Sequence, residues 1–168
     1  MTTVSHQTVS HQDARPGLLL LGGCGASPLL RDLARRAVAA AHVRGMRIHL
    51  TDTEEALHAV PDLRDQVDAV SAVDFERPQE CVAFAHERAA AGEHFDVVLG
   101  LREYAQVATA EVAAALGVPG NPPDAIRTIR AKDACRSALA AAGFRQPAFR
   151  LCTDYSQALR FIESSPGP

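Results

Sequence analysis

The sequence has no tryptophan, a single lysine and no long apolar run. A membrane-spanning helix needs about 18 or more consecutive apolar residues, so none is predicted here. The N-terminus has no basic segment followed by an apolar core, so we predict no secretory signal. A formal net charge of -3 gives no electrostatic reason to expect a nucleic-acid partner.

Cysteine is also scarce, and its positions are scattered. The four cysteines form no C-x-x-C pair and no zinc-site spacing; they are Cys24, Cys81, Cys135 and Cys152. We therefore predict reduced thiols in a cytoplasmic protein.

What is present is an ordinary globular balance. The chain has 168 residues, of which 47% are apolar and 22% charged, and this excludes wholesale disorder and coiled-coil rods. Among 17 basic residues the only lysine is Lys132. A chain that uses arginine for nearly every cation keeps a lysine where a compact ammonium is needed, or by chance. Lys132 is therefore a candidate functional residue.

Strand and helix patterns alternate through most of the chain. A polar tail with a tandem Thr-Val-Ser-His-Gln repeat, residues 1–16, is predicted to be disordered. Apolar runs alternate with segments of helical spacing over 17–121, which predicts a doubly wound parallel α/β sheet. The predicted strands are 18–21, 47–52, 67–73 and 95–100, and the predicted helices are 28–44, 78–91 and 103–116. Leu29, Leu33 and Tyr104 are among the residues expected on inner helix faces.

The remainder, 122–168, departs from this pattern. We predict one or two helices over 125–142 with Asp124 as N-cap, a strand at 148–152 and a helix at 154–163. The predicted strand has no evident partner in the sequence. We therefore expect this segment to be the start of a second domain that continues beyond Pro168.

The loop after the first strand is a candidate ligand site. Gly22 to Ser27 precedes a helix N-terminus, where backbone amides favour anions. The spacing is neither that of dinucleotide folds nor that of a P-loop. Gly23 and Gly25 either contact a substrate carboxylate or simply permit a tight turn. Cys24, without a histidine partner, is interpreted as a buried small residue.

Three more side chains follow strand ends. Asp52 occupies the place where dinucleotide folds hold ribose, but without the glycine motif we expect a polar ligand contact rather than NAD. Arg102 is predicted to clamp a carboxylate and Glu103 to hold an amine; the alternative for Glu103 is a favourable acid in a helix first turn. The histidines show no spacing suited to a metal or a triad. Lys132, near a helix start, is suited to a phosphate.

Together these segments make the chain resemble the ATP-grasp superfamily over about 18–168. The resemblance is to the N-terminal domain of the carboxylate–amine ligase and biotin carboxylase type, plus the first piece of the grasp domain. It rests on Glu103, 115–120, 124–126, Lys132, Arg136, Leu139, Gly143 and Pro147. By this resemblance, Lys132 reaches ATP phosphates.

The resemblance implies an enzyme that activates a carboxylate as an acyl phosphate with ATP and Mg²⁺, after which an amine attacks to form an amide. It implies cofactors ATP and Mg²⁺, small-molecule acid and amine substrates, and a possible homodimer. The second lysine, the glycine-rich flap and the acidic magnesium ligands of the family are missing, so the 168 residues alone are predicted to be inactive. Two alternatives stay open: the carboxylating branch, and a non-enzymatic Rossmann-like small-molecule-binding module.

Overall fold

The computed structural model describes residues 15–25 and 27–165. The chain forms two compact units, Met1–Pro123 and Asp124–Pro168, called unit 1 and unit 2 below. Most of the predicted tail lies outside the described residues. Its last two residues are attached to unit 1, because Arg15 pairs with Asp68 at 2.8 Å and the Pro16 carbonyl accepts from the Arg47 amide. The prediction of a disordered tail is therefore wrong for Arg15 and Pro16.

Unit 1 contains a four-stranded parallel sheet, as predicted. The strands are β1 (Gly17–Leu21), β2 (Arg47–Asp52), β3 (Ala69–Ala72) and β4 (Val97–Gly100), in the order β3-β2-β1-β4. In the register, Leu19 lies between His49 of β2 and Val98 of β4. The inner strand β1 is buried along its whole length. This explains why its sequence is an unbroken apolar run rather than an alternating one.

Helices cover both faces of the sheet, which confirms the doubly wound architecture. Unit 1 has α1 (Pro28–Val43), α2 (Glu54–His58), α3 (Pro61–Arg64), α4 (Pro78–Ala90) and α5 (Gln106–Leu116), the last preceded by a 3₁₀ turn at Glu103–Ala105. Further along the chain are α6 (Pro123–Arg130), α7 (Lys132–Ala141) and α8 (Tyr155–Ser164). The short helices α2 and α3 were not predicted, because segments of five and four residues show little periodicity.

Helix α1 begins as predicted, and its buried stripe agrees with the prediction only in part. The Ser27 hydroxyl accepts from the Leu30 amide, and Pro28 is the first helical residue. The buried residues are Ala34, Val38 and Ala41. Leu29 and Leu33, predicted to face inward, are exposed, Leu29 by 67%. Small side chains let the helix axis approach the sheet closely, and they form the contact in place of the leucines.

The two faces of the sheet build two cores by strand alternation. One core joins Leu18, Leu20, Ile48 and Leu50 to α1, and the other joins Leu19, Leu21 and Val98 to α4 and α5. Tyr104, predicted to lie on an inner helix face, is 63% exposed. It lies in the 3₁₀ turn, whose tighter winding changes the direction of its side chain relative to α5. Gly117, with φ +69°, ends α5 as predicted.

Unit 2 is helical in its described part, and the predicted strand at 148–152 is wrong. That segment is irregular, because an isolated extended segment has no neighbour to satisfy its ladder hydrogen bonds. The Arg136 guanidinium instead lies 5.9 Å from the Phe149 ring, and that of Arg150 lies 5.6 Å from Phe161.

The two helix ends predicted for unit 2 have different outcomes. Asp154 caps α8, since its carboxylate accepts from the Gln157 amide at 2.8 Å. Asp124 lies inside the first turn of α6, which begins two residues earlier than predicted, so it is not the N-cap. The apolar residues of α8 are mostly exposed within the chain: Tyr155, Leu159 and Ile162. Among the described residues, no helix is long and apolar enough to cross a membrane.

Candidate functional site

The carboxyl ends of β1, β2 and β4 meet at one edge of the sheet. The chain runs from β1 outward through β2 to β3 and then returns to place β4 on the other side of β1. In parallel α/β sheets, ligands bind at the carboxyl edge where the strand order reverses. Here the loops at this reversal are the glycine loop after β1 and the Arg102 turn after β4.

A cleft of about 270 Å³ opens at this edge. It is lined by Cys24, Gly25, Arg31, Thr53, Glu55, Ala56, Ala59 and Arg102. The structure therefore brings two of the predicted residues, Gly25 and Arg102, to one concave surface. Gly23 lines a smaller gap beside α3 instead. Glu103 is exposed and begins the 3₁₀ turn, the first-turn position that favours an acid.

The glycines of the loop are required by packing. Gly22 has φ +63°, a conformation that other residues rarely adopt. A Cβ at Gly25 would overlap the Leu30 side chain, and one at Gly23 would overlap Leu50. The tight turn and close helix approach therefore account for the glycines on their own. The substrate contacts predicted for Gly23 and Gly25 stay predictions.

Asp52 holds the loop rather than facing the cleft. Its side chain is fully buried, Oδ2 accepts from the Cys24 amide at 2.7 Å, and Oδ1 accepts from the Thr53 amide at 2.8 Å. Burial raises the pKa of the Asp52 carboxyl, against the lowering effect of the two amides and of Arg102. Asp52 occupies the position that binds ribose in dinucleotide folds, but here its carboxylate accepts from backbone amides of the same chain.

Arg102 is engaged by the same contact. Its Nη2 lies 3.3 Å from Asp52 Oδ2 and also donates to the Cys24 carbonyl. The guanidinium carbon lies 4.7 Å from the centre of the Phe75 ring. Its Nε is buried without a hydrogen-bond partner among the described residues. The charge of Arg102 is therefore largely balanced by Asp52, which weakens it as the predicted carboxylate clamp.

Arg31 is a cleft residue that was not predicted from the sequence. It lies in the second turn of α1, and its Nε donates to the Gly25 carbonyl at 3.3 Å. A cation near a helix N-terminus opposes the helix dipole. The same signal that pointed to Lys132 would have pointed to Arg31. Of the two arginines that line the cleft, Arg31 is the one not paired with Asp52.

Cys24 lines the cleft but is not a reactive thiol. It is 1% exposed, and burial raises its pKa to about 12, with Asp52 adding to the shift. A thiol that stays protonated is a poor nucleophile. This supports the interpretation of Cys24 as a buried small residue.

A second, partly buried polar group of residues, the His49 cluster, lies beside α4. It consists of His49, Ser71, Glu93, Arg47 and Arg88. His49 Nδ1 lies 2.9 Å from Glu93 Oε1, and its Nε2 lies 2.9 Å from Ser71 Oγ.

The order of groups in the His49 cluster resembles a hydrolase triad, but its surroundings indicate a structural role. His49 is 3% exposed, and the Phe84 ring packs edge-on against it at 5.3 Å. A substrate atom therefore has no access to the imidazole. We assign the cluster to the packing of β2, β3 and α4.

Lys132 lies in unit 2, where it is the first residue of α7 and is exposed. Ala131, the N-cap, gives the helix no side-chain cap. The first amides of α7 therefore lack the hydrogen bond that a capping side chain would supply. The predicted position of Lys132 at a helix start is confirmed; its phosphate contact stays a prediction.

Comparison with solved structures identifies the fold. Phosphoribosylglycinamide synthetase from Anaerococcus prevotii is 14% identical with a TM-score of 0.66, covering 92% of this chain and 36% of that one. L-amino acid ligase from Bacillus licheniformis is 22% identical with a TM-score of 0.59, covering 85% and 34%. The ADP complex of N5-carboxyaminoimidazole ribonucleotide synthetase is 16% identical with a TM-score of 0.61, covering 89% and 35%.

These neighbours confirm the predicted fold: the chain has the fold of the N-terminal part of ATP-grasp enzymes. The chain spans about one third of the length of each. No protein-family profile and no curated protein matches the sequence.

Proposed function

We propose that this chain is the N-terminal substrate-pocket domain of an ATP-grasp ligase that joins a carboxylate to an amine. The observation that carries the proposal is the match of nearly the whole chain to ATP-grasp enzymes of this kind, including an amino-acid ligase. We assign the proposed substrate pocket to the cleft at the carboxyl edge of the sheet in unit 1. Because each match covers about a third of its partner, the proposed activity is that of a protein containing further residues.

The chemistry proposed is the formation of an acyl phosphate followed by attack of an amine. ATP transfers its terminal phosphoryl group to the acid, and the amine nitrogen displaces phosphate to give an amide, ADP and phosphate. Such a reaction depends mainly on positioning and on charge stabilisation. This chain would contribute one wall of the pocket that positions the acid.

Lys132 is the residue proposed to contact ATP. Its exposed ammonium and the uncapped amides of α7 suit an anionic phosphate. The neighbour crystallised with ADP supports nucleotide binding by this fold. Among residues 15–25 and 27–165, no three His, Cys, Asp or Glu side chains group as metal ligands. We assign no Mg²⁺ ligand among the described residues and derive no step through the metal.

Arg31 is the residue proposed to bind the acid in the cleft. It lines the cleft beside Gly25 and carries the positive charge that Asp52 does not neutralise. A guanidinium can hold a carboxylate through two parallel hydrogen bonds. Gly23, Gly25, Arg102 and Glu103 stay predicted substrate residues, with Glu103 assigned to the amine.

The test is an assay on the natural gene product that contains these 168 residues. We expect ADP release from ATP and Mg²⁺ that requires both an acid and an amine from an amino-acid panel, with amide product detected by mass spectrometry. Replacement of Arg31 by lysine should raise the KM for the acid more than it lowers kcat, because the planar two-donor contact is lost.

Other results of that assay would favour the alternatives. ADP release that requires bicarbonate instead of an amine would favour the carboxylating branch. Binding of small molecules without any nucleotide turnover would favour the non-enzymatic module. A cytoplasmic location, a homodimer and the inactivity of the 168 residues alone also stay predictions; the last is checked by the same assay on the isolated chain.

A further inference from the structure

The loop after β1 is held at Cys24 through both of its backbone polar groups. The Cys24 amide donates to Asp52 Oδ2 at 2.7 Å, and the Cys24 carbonyl accepts from Arg102. Asp52 and Arg102 also pair with each other at 3.3 Å. Cys24 lies in the loop after β1, Asp52 is the last residue of β2, and Arg102 lies in the turn after β4. The position of the glycine loop therefore depends on two side chains from other strands.

The pair that holds the loop is buried. Asp52 is fully buried, and the Arg102 side chain is 19% exposed and stacks on Phe75. Removing one partner of a buried ion pair leaves an uncompensated charge, so the two side chains act as a unit. The cost of breaking the unit can be reduced if the loop moves and water reaches the remaining charge.

We propose that Asp52 and Arg102 are positioning residues that latch the glycine loop over the Cys24 thiol and thereby shape the cleft. The latch opens locally, without unfolding of the rest of unit 1. This inference goes beyond the proposed function, because it concerns the loop itself and holds for any ligand of the cleft.

Cys24 reports the state of the latch. Its thiol is buried, with a pKa raised to about 12, so it reacts slowly with alkylating reagents while the loop is closed. Cys81 in α4 is equally buried, and its pKa is also raised to about 12 by burial. Opening of the latch exposes Cys24 alone, whereas unfolding of unit 1 exposes both thiols. Cys81 is therefore an internal reference.

The experiment measures alkylation of the two buried thiols by iodoacetamide at about pH 8, where an exposed thiol is partly ionised. Cys135 and Cys152 are replaced by serine, and peptide mass spectrometry follows Cys24 and Cys81. We expect Asp52→Asn and Arg102→Gln each to raise the alkylation rate of Cys24 by about 10-fold or more. The alkylation rate of Cys81 should change by less than about 2-fold. In the double variant, the alkylation rate of Cys24 should be only slightly higher than in the faster single variant, because the two residues act on one contact.

Asp96→Asn is the matched control. Asp96 Oδ2 also accepts from a backbone amide, that of Gly17 at 2.7 Å, but at the opposite edge of the sheet. This variant should leave the ratio of the two alkylation rates unchanged. Arg102→Lys keeps the charge and should give an intermediate Cys24 rate, which decides the question if Asp52→Asn does not fold.

Two results would overturn the latch. Equal acceleration of Cys24 and Cys81 in the Asp52 and Arg102 variants would mean that the pair supports unit 1 as a whole. An unchanged Cys24 rate in folded variants would mean that the loop is held by its packing alone.

Discussion

Replacing Glu93 by glutamine removes the only negative charge of the His49 cluster while keeping the shape of the side chain. Glu93 is 7% exposed and links β2 to α4. Its Oε1 accepts from Arg47 at 2.6 Å and from His49 at 2.9 Å, and its Oε2 accepts from Arg88 at 2.9 Å. Burial alone would raise the pKa of Glu93, but these hydrogen bonds and charges outweigh it and hold the pKa below its usual value. The carboxylate is therefore the form that the cluster stabilises.

The expected loss in the free energy of unfolding depends on how far each partner of Glu93 is exposed to solvent. A glutamine oxygen can still accept from Arg47 and His49, but the amide nitrogen then faces the Arg88 donor. Arg88 is 39% exposed and can turn to solvent, whereas the Arg47 side chain is 19% exposed and loses its counter-charge. Hydrogen bonds to charged groups contribute about 1.5–3 kcal/mol each, and breaking a buried pair costs about 3–5 kcal/mol. Allowing for the partial exposure, we expect unit 1 to lose about 2–4 kcal/mol.

The assay is native-state hydrogen exchange at the central amides of β1 and β2, which report the free energy of unfolding of unit 1. The matched control is Asp32→Asn, which removes the exposed α1 ion pair between Asp32 and Arg36 at 2.7 Å. Exposed pairs of this kind contribute about 0.3–0.5 kcal/mol. A loss in Glu93→Gln no larger than that of the control would refute the assignment of the cluster as a stabilising network.

Three further predictions concern pH, nucleotide and loop packing. Burial lowers the pKa of His49 in the folded protein, against the raising effect of Glu93. As the pH falls below about 6.5, the imidazole of His49 is therefore protonated in the unfolded chain before it is protonated in the folded one. Unfolding free energy should therefore fall with acidification, by at most about 1.4 kcal/mol per pH unit from this group, and His49→Asn should flatten the urea-midpoint profile. In the full gene product, Lys132→Ala should weaken ATP affinity by about 10- to 150-fold in calorimetry, with partial rescue by Lys132→Arg, and an unchanged affinity would argue against the phosphate contact. Gly25→Ala should lower the urea midpoint by an amount equivalent to about 1–3 kcal/mol, because the new methyl group overlaps Leu30; a neutral result would contradict the packing argument.

Local signals in the sequence were sufficient for the architecture of unit 1. The leucine run before Gly22 is typical of a strand buried on both faces. Ser27-Pro28 indicates a helix start, because the Ser27 hydroxyl caps an amide only three residues away. Gly117 ends α5 because a left-handed residue stops the helix wherever it occurs. Alternation of such segments then restricts the topology, since a helix between two strands makes them parallel and the connection is right-handed. These features depend on residues that are close together in the sequence, so they can be predicted from the sequence alone.

The features that required the structure depend on residues far apart in the chain. Asp52 at the end of β2 accepts from the Cys24 amide in the loop after β1 and balances the charge of Arg102 in the turn after β4. Because these residues are far apart in the chain, the sequence could indicate the edge but not which side chains face the cleft. The segment 148–152 has the composition of a strand, yet a strand exists only where a neighbouring strand satisfies its backbone, and the described part of unit 2 offers none. Leu29 and Tyr104 have side chains that suit a core, but the approach of α1 to the sheet and the 3₁₀ turn before α5 decided which residues reach it. Propensity and periodicity are properties of short segments, whereas burial, ion pairing and strand pairing depend on how the whole chain packs.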